Sequence, residues 1–185
     1  MKKIIARPIL DKLYQEFSVY AASVIEGGDE LPPQLVAFNL EKDEPHILFN
    51  MPQAIMKLFQ GSEQGKTYLR VFVEKTLVGD APGGLPAPDI MLYASEAWTA
   101  KGIVGDKLFE ETLRTGDVKS RPDRTESVIV TLYTLDGTAL GVCPIHIDAN
   151  KKRSLEVEPL HHPDDPGFEL DGRLVVDKPN WEVPK

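Results

Sequence analysis

Residues 127–148, SVIVTLYTLDGTALGVCPIHID, decide the fold of this protein. Two β-prone runs, 127–135 and 138–148, lie on either side of Asp136-Gly137. An Asp-Gly pair between two such runs is a strong short-range signal for a β-hairpin. A connection this short permits only antiparallel pairing of the two strands. Pro144 in the second run predicts an edge position or a bulge, because proline has no N–H to donate to a sheet.

The sequence on both sides of this hairpin predicts more of the same sheet. DIMLYASEAWTA (89–100) has the composition of a strand, and RSLEVEPL follows a turn at 149–151. The turns that link the later strands are too short to hold crossover helices. This half of the chain is therefore predicted to form an antiparallel β-meander.

The first half of the chain adds helices to this sheet. Apolar residues at helical spacing predict a helix over 8–26, and two short apolar runs around a polar turn predict a hairpin at 34–51. Residues 52–78 have a helical pattern. The predicted class is α+β: helix, β-hairpin, helix, then the meander, with the helices on one face of a mostly antiparallel sheet. This element order over 8–148 is similar to that of roadblock-type and profilin-like modules, which implies scaffolding or dimerisation without chemistry.

Length and composition predict one domain followed by a short extension. The chain has 185 residues, of which 42% are apolar, which is enough for one continuous core. We predict a single α+β domain over 1–160 and a Pro/Asp-rich C-terminal extension over 161–185. Trp181 is the obvious anchor by which this extension would pack on the body or on a partner.

The negative net charge and the lack of long apolar runs argue against several classes of partner. A net charge of −8 argues against binding a phosphate backbone, since such affinity comes mainly from lysine and arginine. No stretch approaches the roughly 20 apolar residues that a membrane helix needs. We therefore expect a cytoplasmic protein that binds neither nucleic acid nor membrane and needs no cofactor. Cys143 is the only cysteine, so no internal disulfide is possible, and a buried thiol is expected.

GSEQGKT (61–67) resembles a phosphate-binding loop but does not satisfy the motif. The spacing from Gly61 to Gly65 is one residue too short, and the preceding sequence is helical, whereas a phosphate loop follows a strand. We expect no nucleotide site here. The stretch is better explained as a break between two helical segments.

Histidines and acids near the C-terminus are the candidate metal ligands. His161, His162, Asp164 and Asp165 lie within PLHHPDDPG, and His146 and Asp148 lie two residues apart on the last long strand. Imidazole and carboxylate groups suit divalent cations. Adjacent residues on one irregular loop seldom converge on a single ion, so a solvated turn is the alternative explanation.

Glu96 is the most unusual residue of the predicted sheet. Alternation along 89–100 places it on the same face as apolar residues such as Leu92 and Ala94. A carboxylate on an apolar face requires a partner. Arg124, at the entry to the next strand, is the expected partner; Arg121 and Arg114 are the alternatives. The pair is interpreted as structural, and the competing hypothesis is a general base or half of a binding site.

SEAW (95–98) and PDRTE (122–126) together resemble a pattern in small proteins of bacteria and their phages. The resemblance covers about 89–148 and implies no particular activity. It implies that Glu96, Trp98, Asp123, Arg124 and Glu126 form one structural or binding unit. The long connection between the two motifs carries Leu108 and Phe109 on one side of a predicted helical turn, where they would serve as interaction anchors.

These observations favour a non-enzymatic protein of bacterial or phage origin that acts through protein–protein contacts, with a protein partner or with a second copy of itself in a homodimer, and we expect a homo-oligomer. The alternatives are a small metal-dependent hydrolase that uses His146, Asp148 and His161, and an acidic inhibitor that mimics nucleic acid. No catalytic residue is assigned.

Overall fold

The structure is a computed structural model that describes residues 4–60, 63–99 and 121–166, together with the single positions 107, 111 and 118. Its elements in chain order are α1 (Arg7–Glu26), β1 (Gln34–Glu41), β2 (Glu44–Asn50), α2 (Gln53–Gln60), α3 (Glu63–Leu77), a short 3₁₀ turn (Pro82–Gly84), β3 (Ile90–Thr99), β4 (Thr125–Thr134), β5 (Gly137–Ile147) and β6 (Arg153–Leu155).

The six strands form one sheet in the order β2-β1-β3-β4-β5-β6, and every neighbouring pair is antiparallel. The hairpin at Asp136 is confirmed, with Thr134 paired to Gly137. The β1–β2 hairpin is also confirmed, and its turn residues Lys42 and Asp43 have φ values of 52° and 66°, which a tight two-residue turn requires. β5 keeps an unbroken register against β4 through Pro144, so no bulge forms between these two strands.

The α+β class, the antiparallel meander and the order of elements are confirmed, but the helices lie on both faces of the sheet and not on one as predicted. Alternate residues of β3 separate the two faces. Leu92 and Ala94 belong to the core under α1, whereas Met91 and Tyr93 belong to the core under α2 and α3. The sequence contains a sign of this arrangement, because 90–95 is an almost continuous apolar run that is buried throughout.

We call the face under α1 the inner face. Its core contains Leu10, Leu13, Tyr14, Ala21, Ile25, Leu92, Val128, Val130, Leu132 and Cys143, among others. α1 contacts both edge strands, β2 and β6. A flat sheet of six strands would be about 24 Å across, more than twice the width of a helix. The sheet therefore curls around α1.

The outer face is covered by α2 and α3. Its core contains Leu35, Ala37, Met56, Leu69, Val73, Leu77, Met91, Tyr93 and Tyr133, among others. Gly65 lies in α3, where a Cβ atom would come within 2.5 Å of the carbonyl oxygens of Leu58 and Phe59. This glycine of the GSEQGKT stretch therefore allows α2 and α3 to approach closely. Gly61 and Ser62 lie outside the described residues.

Candidate functional site

Glu96 lies near the end of β3 on the inner face, and its side chain is only 13% exposed. Its Oε1 accepts a hydrogen bond from the backbone N–H of Leu31 at 2.5 Å, and its Oε2 accepts one from Nη2 of Arg153 at 2.7 Å. A carboxylate at this depth needs such partners because burial disfavours its charge. The structure thus places Glu96 on the apolar face that the alternation indicated, with an arginine beside it.

That arginine is Arg153, and the predicted partner, Arg124, was the wrong one. Arg153 lies in β6, three strands away from Glu96 in the sheet order, a separation of about 14 Å in a flat sheet. The curl of the sheet brings the two side chains together on the inner face. The Nη1 of Arg153 also donates to the carbonyl oxygen of Asp29 at 3.0 Å. The spacing of Glu96 and Arg153 in the sequence could not predict their contact, because the contact forms only when the sheet curls in the folded protein.

Glu126 completes a charged cluster that we define as Glu96, Glu126 and Arg153. It faces Trp98 across the β3–β4 pair, and its Oε1 lies 3.4 Å from Nη2 of Arg153. Burial raises the pKa of the Glu126 carboxyl, Arg153 opposes this rise, and the neighbouring Glu96 adds to it. The charged cluster therefore joins two carboxyl groups to one guanidinium and connects β3, β4, β6 and the loop after α1.

Arg124 lies over the ring of Trp98, with its guanidinium carbon 4.9 Å from the ring centroid. Asp123 forms a two-pronged pair with Arg121, whose Nε and Nη2 donate to the two carboxylate oxygens at 2.8 and 2.6 Å. The residues of the SEAW and PDRTE motifs thus occupy one end of the sheet. Arg124 and Glu126 lie beside the half-exposed Trp98, whereas the contact of Asp123 is with Arg121, outside both motifs; that the five residues act as one unit stays a prediction.

The candidate metal ligands do not converge on one point. Among the described residues, no group of three or more histidines, cysteines and acids is placed to hold a metal ion. His146 is exposed and pairs with Glu156 at 2.6 Å, and Asp148 accepts backbone N–H groups of the turn that follows it. His161 pairs with Leu140, six residues along β5 from His146, or about 20 Å.

The other candidate ligands fasten the chain to the start of α1. Nε2 of the buried His162 lies 2.9 Å from Oδ1 of Asp11. Asp164 and Asp165 both pair with Arg7, and Asp165 also accepts the backbone N–H of His162 at 2.8 Å. These groups therefore hold residues 161–166 against the body. Residues 161–166 are the described part of the predicted extension. Residues 167–185 lie outside the described residues.

The single thiol is buried and hydrogen-bonded. Cys143 is fully buried in the inner core, and its Sγ lies 3.0 Å from the hydroxyl of Tyr14, which donates to the carbonyl oxygen of Glu158 at 2.7 Å. Burial raises the pKa of the Cys143 thiol, and burial together with the thiol raises that of Tyr14. A thiol without solvent access and with a raised pKa is a poor nucleophile. The contact is structural.

The outer surface of α2 and α3 exposes a set of apolar side chains. We call the following residues the outer helical surface: the exposed Ile55, Leu58, Tyr68 and Val71, together with the half-buried Phe59 and Phe72 of the same two helices. Leu58 is 74% exposed and Tyr68 is 56% exposed. The rings of Phe59 and Phe72 lie 6.1 Å apart where the two helices meet. This surface was not identified from the sequence, because helical periodicity does not separate an apolar side that faces a core from one that faces solvent.

Three predicted interaction anchors lie outside the described residues: Leu108, Phe109 and Trp181. Within the same connection, Lys107 and Glu111 are helical and exposed, four residues apart. The role of the three anchors stays a prediction.

Comparison with known proteins gives no relative for this chain: no protein-family model, curated protein or solved structure matches it. The resemblances to roadblock-type and profilin-like modules and to bacterial and phage proteins therefore stay predictions. In the parts of the chain that are described, none of the helices is both long enough and apolar enough to cross a membrane.

Proposed function

We propose that this protein is a non-enzymatic interaction module that binds another protein through the outer helical surface. The observation that carries the proposal is the exposure of Leu58 and Tyr68 beside Ile55 and Val71 on the two helices that cover one face of the sheet. Clustered apolar side chains on a protein surface commonly mark an interface. A tyrosine beside aliphatic anchors is typical of the centre of such an interface.

The charge of α2 and α3 indicates which kind of partner surface to expect. Residues 53–77 contain four basic and two acidic residues, whereas the rest of the chain contains 17 basic and 27 acidic residues. Lys57 and Lys75 are exposed on the same two helices. We therefore expect a partner surface that is apolar with acidic groups at its margin. A second copy fits this description only if it presents a different face, because two outer helical surfaces would bring like charges together.

The two competing functions receive less support. A metal-dependent hydrolase needs ligands that converge, and the predicted ligands are divided between the exposed end of β5 and the start of α1. A nucleic-acid mimic needs a continuous acidic face, and the basic excess over 53–77 interrupts the acidic surface. The interaction hypothesis needs only the surface that the helices expose.

The test begins with a photo-reactive amino acid at Leu58, and a matched protein carries it at Val19 on α1, where the side chain is 73% exposed. Irradiation in cells and mass spectrometry identify the cross-linked protein, which is then purified and mixed with the chain. We expect L58E to weaken binding at least about tenfold, the effect of losing one buried leucine, and V19E to leave it unchanged. Equal effects of the two substitutions would overturn the proposal. Light scattering of the purified chain shows whether a second copy is the partner.

A further inference from the structure

We infer that the partner binds the outer helical surface through an amphipathic α-helix, which lies along α3 and carries an acidic residue opposite Lys75. The inference rests on the proposed function, because it concerns the same surface. It goes further by naming the structure and the charge of the partner segment.

Exposed residues of α3 form a row at the spacing that pairs of helices use. We call Tyr68, Val71, Lys75 and Val78 the α3 row; all four are exposed, and they follow one another at intervals of three, four and three residues. Val78 continues the helix, since its N–H donates to the carbonyl oxygen of Glu74 at 3.3 Å. Residues at these intervals lie on one side of a helix, and the same alternation of three and four marks the contact side in packed helix pairs.

The junction of α2 and α3 borders the α3 row. Phe72 lies one turn after Tyr68, and its ring is 6.1 Å from that of Phe59 in α2. Leu58, the residue before Phe59, is among the most exposed apolar side chains of the described residues. The row and the junction together form an apolar surface broad enough to meet the apolar side of one more helix.

A helix suits this surface better than a strand does. The backbone N–H and C=O groups in the middle of α3 bond to one another within the helix, so the surface offers few free backbone groups to a partner. A strand or an irregular segment bound there would bury N–H and C=O groups without partners, which is costly. A helix satisfies its own backbone groups and makes the contact through its side chains.

The basic residues of this surface indicate the charge of the partner helix. Lys75 lies within the α3 row, and the exposed Lys57 adjoins Leu58 in α2. The Nζ of Lys75 pairs with Asp80 at 2.8 Å, but both side chains are exposed and such a pair contributes little to stability. An ammonium group has three N–H donors, so Lys75 can bind a second carboxylate. An acidic residue at this point of the partner helix is attracted, whereas a basic residue is repelled.

The first experiment measures the spacing of cross-links in the partner. The photo-reactive amino acid is placed at Val71 in one protein and at Val78 in another, and each is irradiated with the purified partner that was captured at Leu58. The two positions are seven residues apart, or about 10.5 Å along a helix. A partner helix should be cross-linked at two positions about seven residues apart. An extended segment would cover the same distance in about three residues, and that spacing would overturn the inference.

The second experiment reverses the charge of Lys75. Lys12 on α1 gives a matched control, because the two lysine side chains are 49% and 50% exposed and each pairs with an acid at 2.8 Å. K75E should weaken binding of the purified partner about tenfold, since it replaces an attraction by a repulsion, and K12E should leave binding within about twofold. Salt should weaken the binding of the wild-type chain more than that of K75E. Equal effects of K75E and K12E would overturn the inference.

The proposed function and the inference fail in different ways. If Leu58 captures no protein in cells beyond the yield at Val19, the proposed function fails and the inference fails with it. If a partner is captured and L58E weakens its binding, the proposed function stands, and a spacing near three residues overturns the inference alone. An adduct that joins Val71 to α3 of a second copy would also overturn it, because that helix presents Lys75 in place of an acidic residue.

Discussion

Replacing Arg153 with methionine tests the charged cluster at the end of the sheet. Arg153 and Glu96 are 15% and 13% exposed, so R153M leaves a largely buried carboxylate facing a second one on Glu126. Removing one partner of a buried ion pair costs about 3–5 kcal/mol, and the residual exposure here favours the lower end, about 3 kcal/mol. The loss of the bond to the Asp29 carbonyl is included in that figure.

The loss of stability should depend on pH. The folded-state pKa of Glu126 is raised, so its contribution to stability is complete below its unfolded pKa and is lost as pH rises through the folded value. Arg153 lowers this pKa, and R153M should therefore raise it further. We expect R153M to be clearly less destabilising at pH 5 than at pH 8, because protonation removes the repulsion between the two carboxyl groups.

Urea denaturation followed by circular dichroism at the two pH values gives the measurement. R70M is the matched control, since Arg70 forms an exposed pair with Glu74 on α3 and should cost less than about 1 kcal/mol. E126Q in the R153M background should restore part of the loss. If R153M and R70M cost the same at both pH values, the charged cluster does not contribute as argued.

Three further substitutions test other parts of the fold. G65A should cost about 1–3 kcal/mol, despite the better helix propensity of alanine, because its methyl group would meet the end of α2; thermal unfolding gives the value. Y14F should cost about 1–3 kcal/mol by leaving the Glu158 carbonyl without its hydroxyl donor, and a variant of unchanged stability would contradict that contact. D165N should speed hydrogen exchange at the amide of Leu140, which donates to the carbonyl oxygen of His161. The backbone N–H of His162, together with Arg7, lowers the pKa of Asp165, so wild-type protection of this amide, after correction for intrinsic exchange, should also fall as pH drops through the folded-state pKa of Asp165.

Much of the fold could be predicted because the signals are local. The Asp136-Gly137 pair and the alternating runs beside it specify a hairpin, and helical spacing specifies α1. The placement of helices on both faces was missed because the prediction did not use the continuous apolar run at 90–95, which indicates a strand covered on both sides.

The candidate site was predicted only in part. Alternation placed Glu96 on an apolar face, and the need for a partner followed from its charge. The partner itself could not be predicted, because Arg153 reaches Glu96 across two intervening strands only when the sheet curls around α1. The outer helical surface was missed for a related reason: whether an apolar side of a helix is exposed depends on how the helix packs in the folded protein.

The most direct test of the central claim is the dissociation constant of the complex between the purified chain and the partner identified by cross-linking at Leu58. The account predicts that L58E raises this constant at least about tenfold, while V19E, at a side chain of nearly equal exposure on α1, leaves it within about twofold. Both variants should unfold at the wild-type temperature. An unchanged constant in L58E, or an equal rise in V19E, would contradict the claim that the outer helical surface is the binding site.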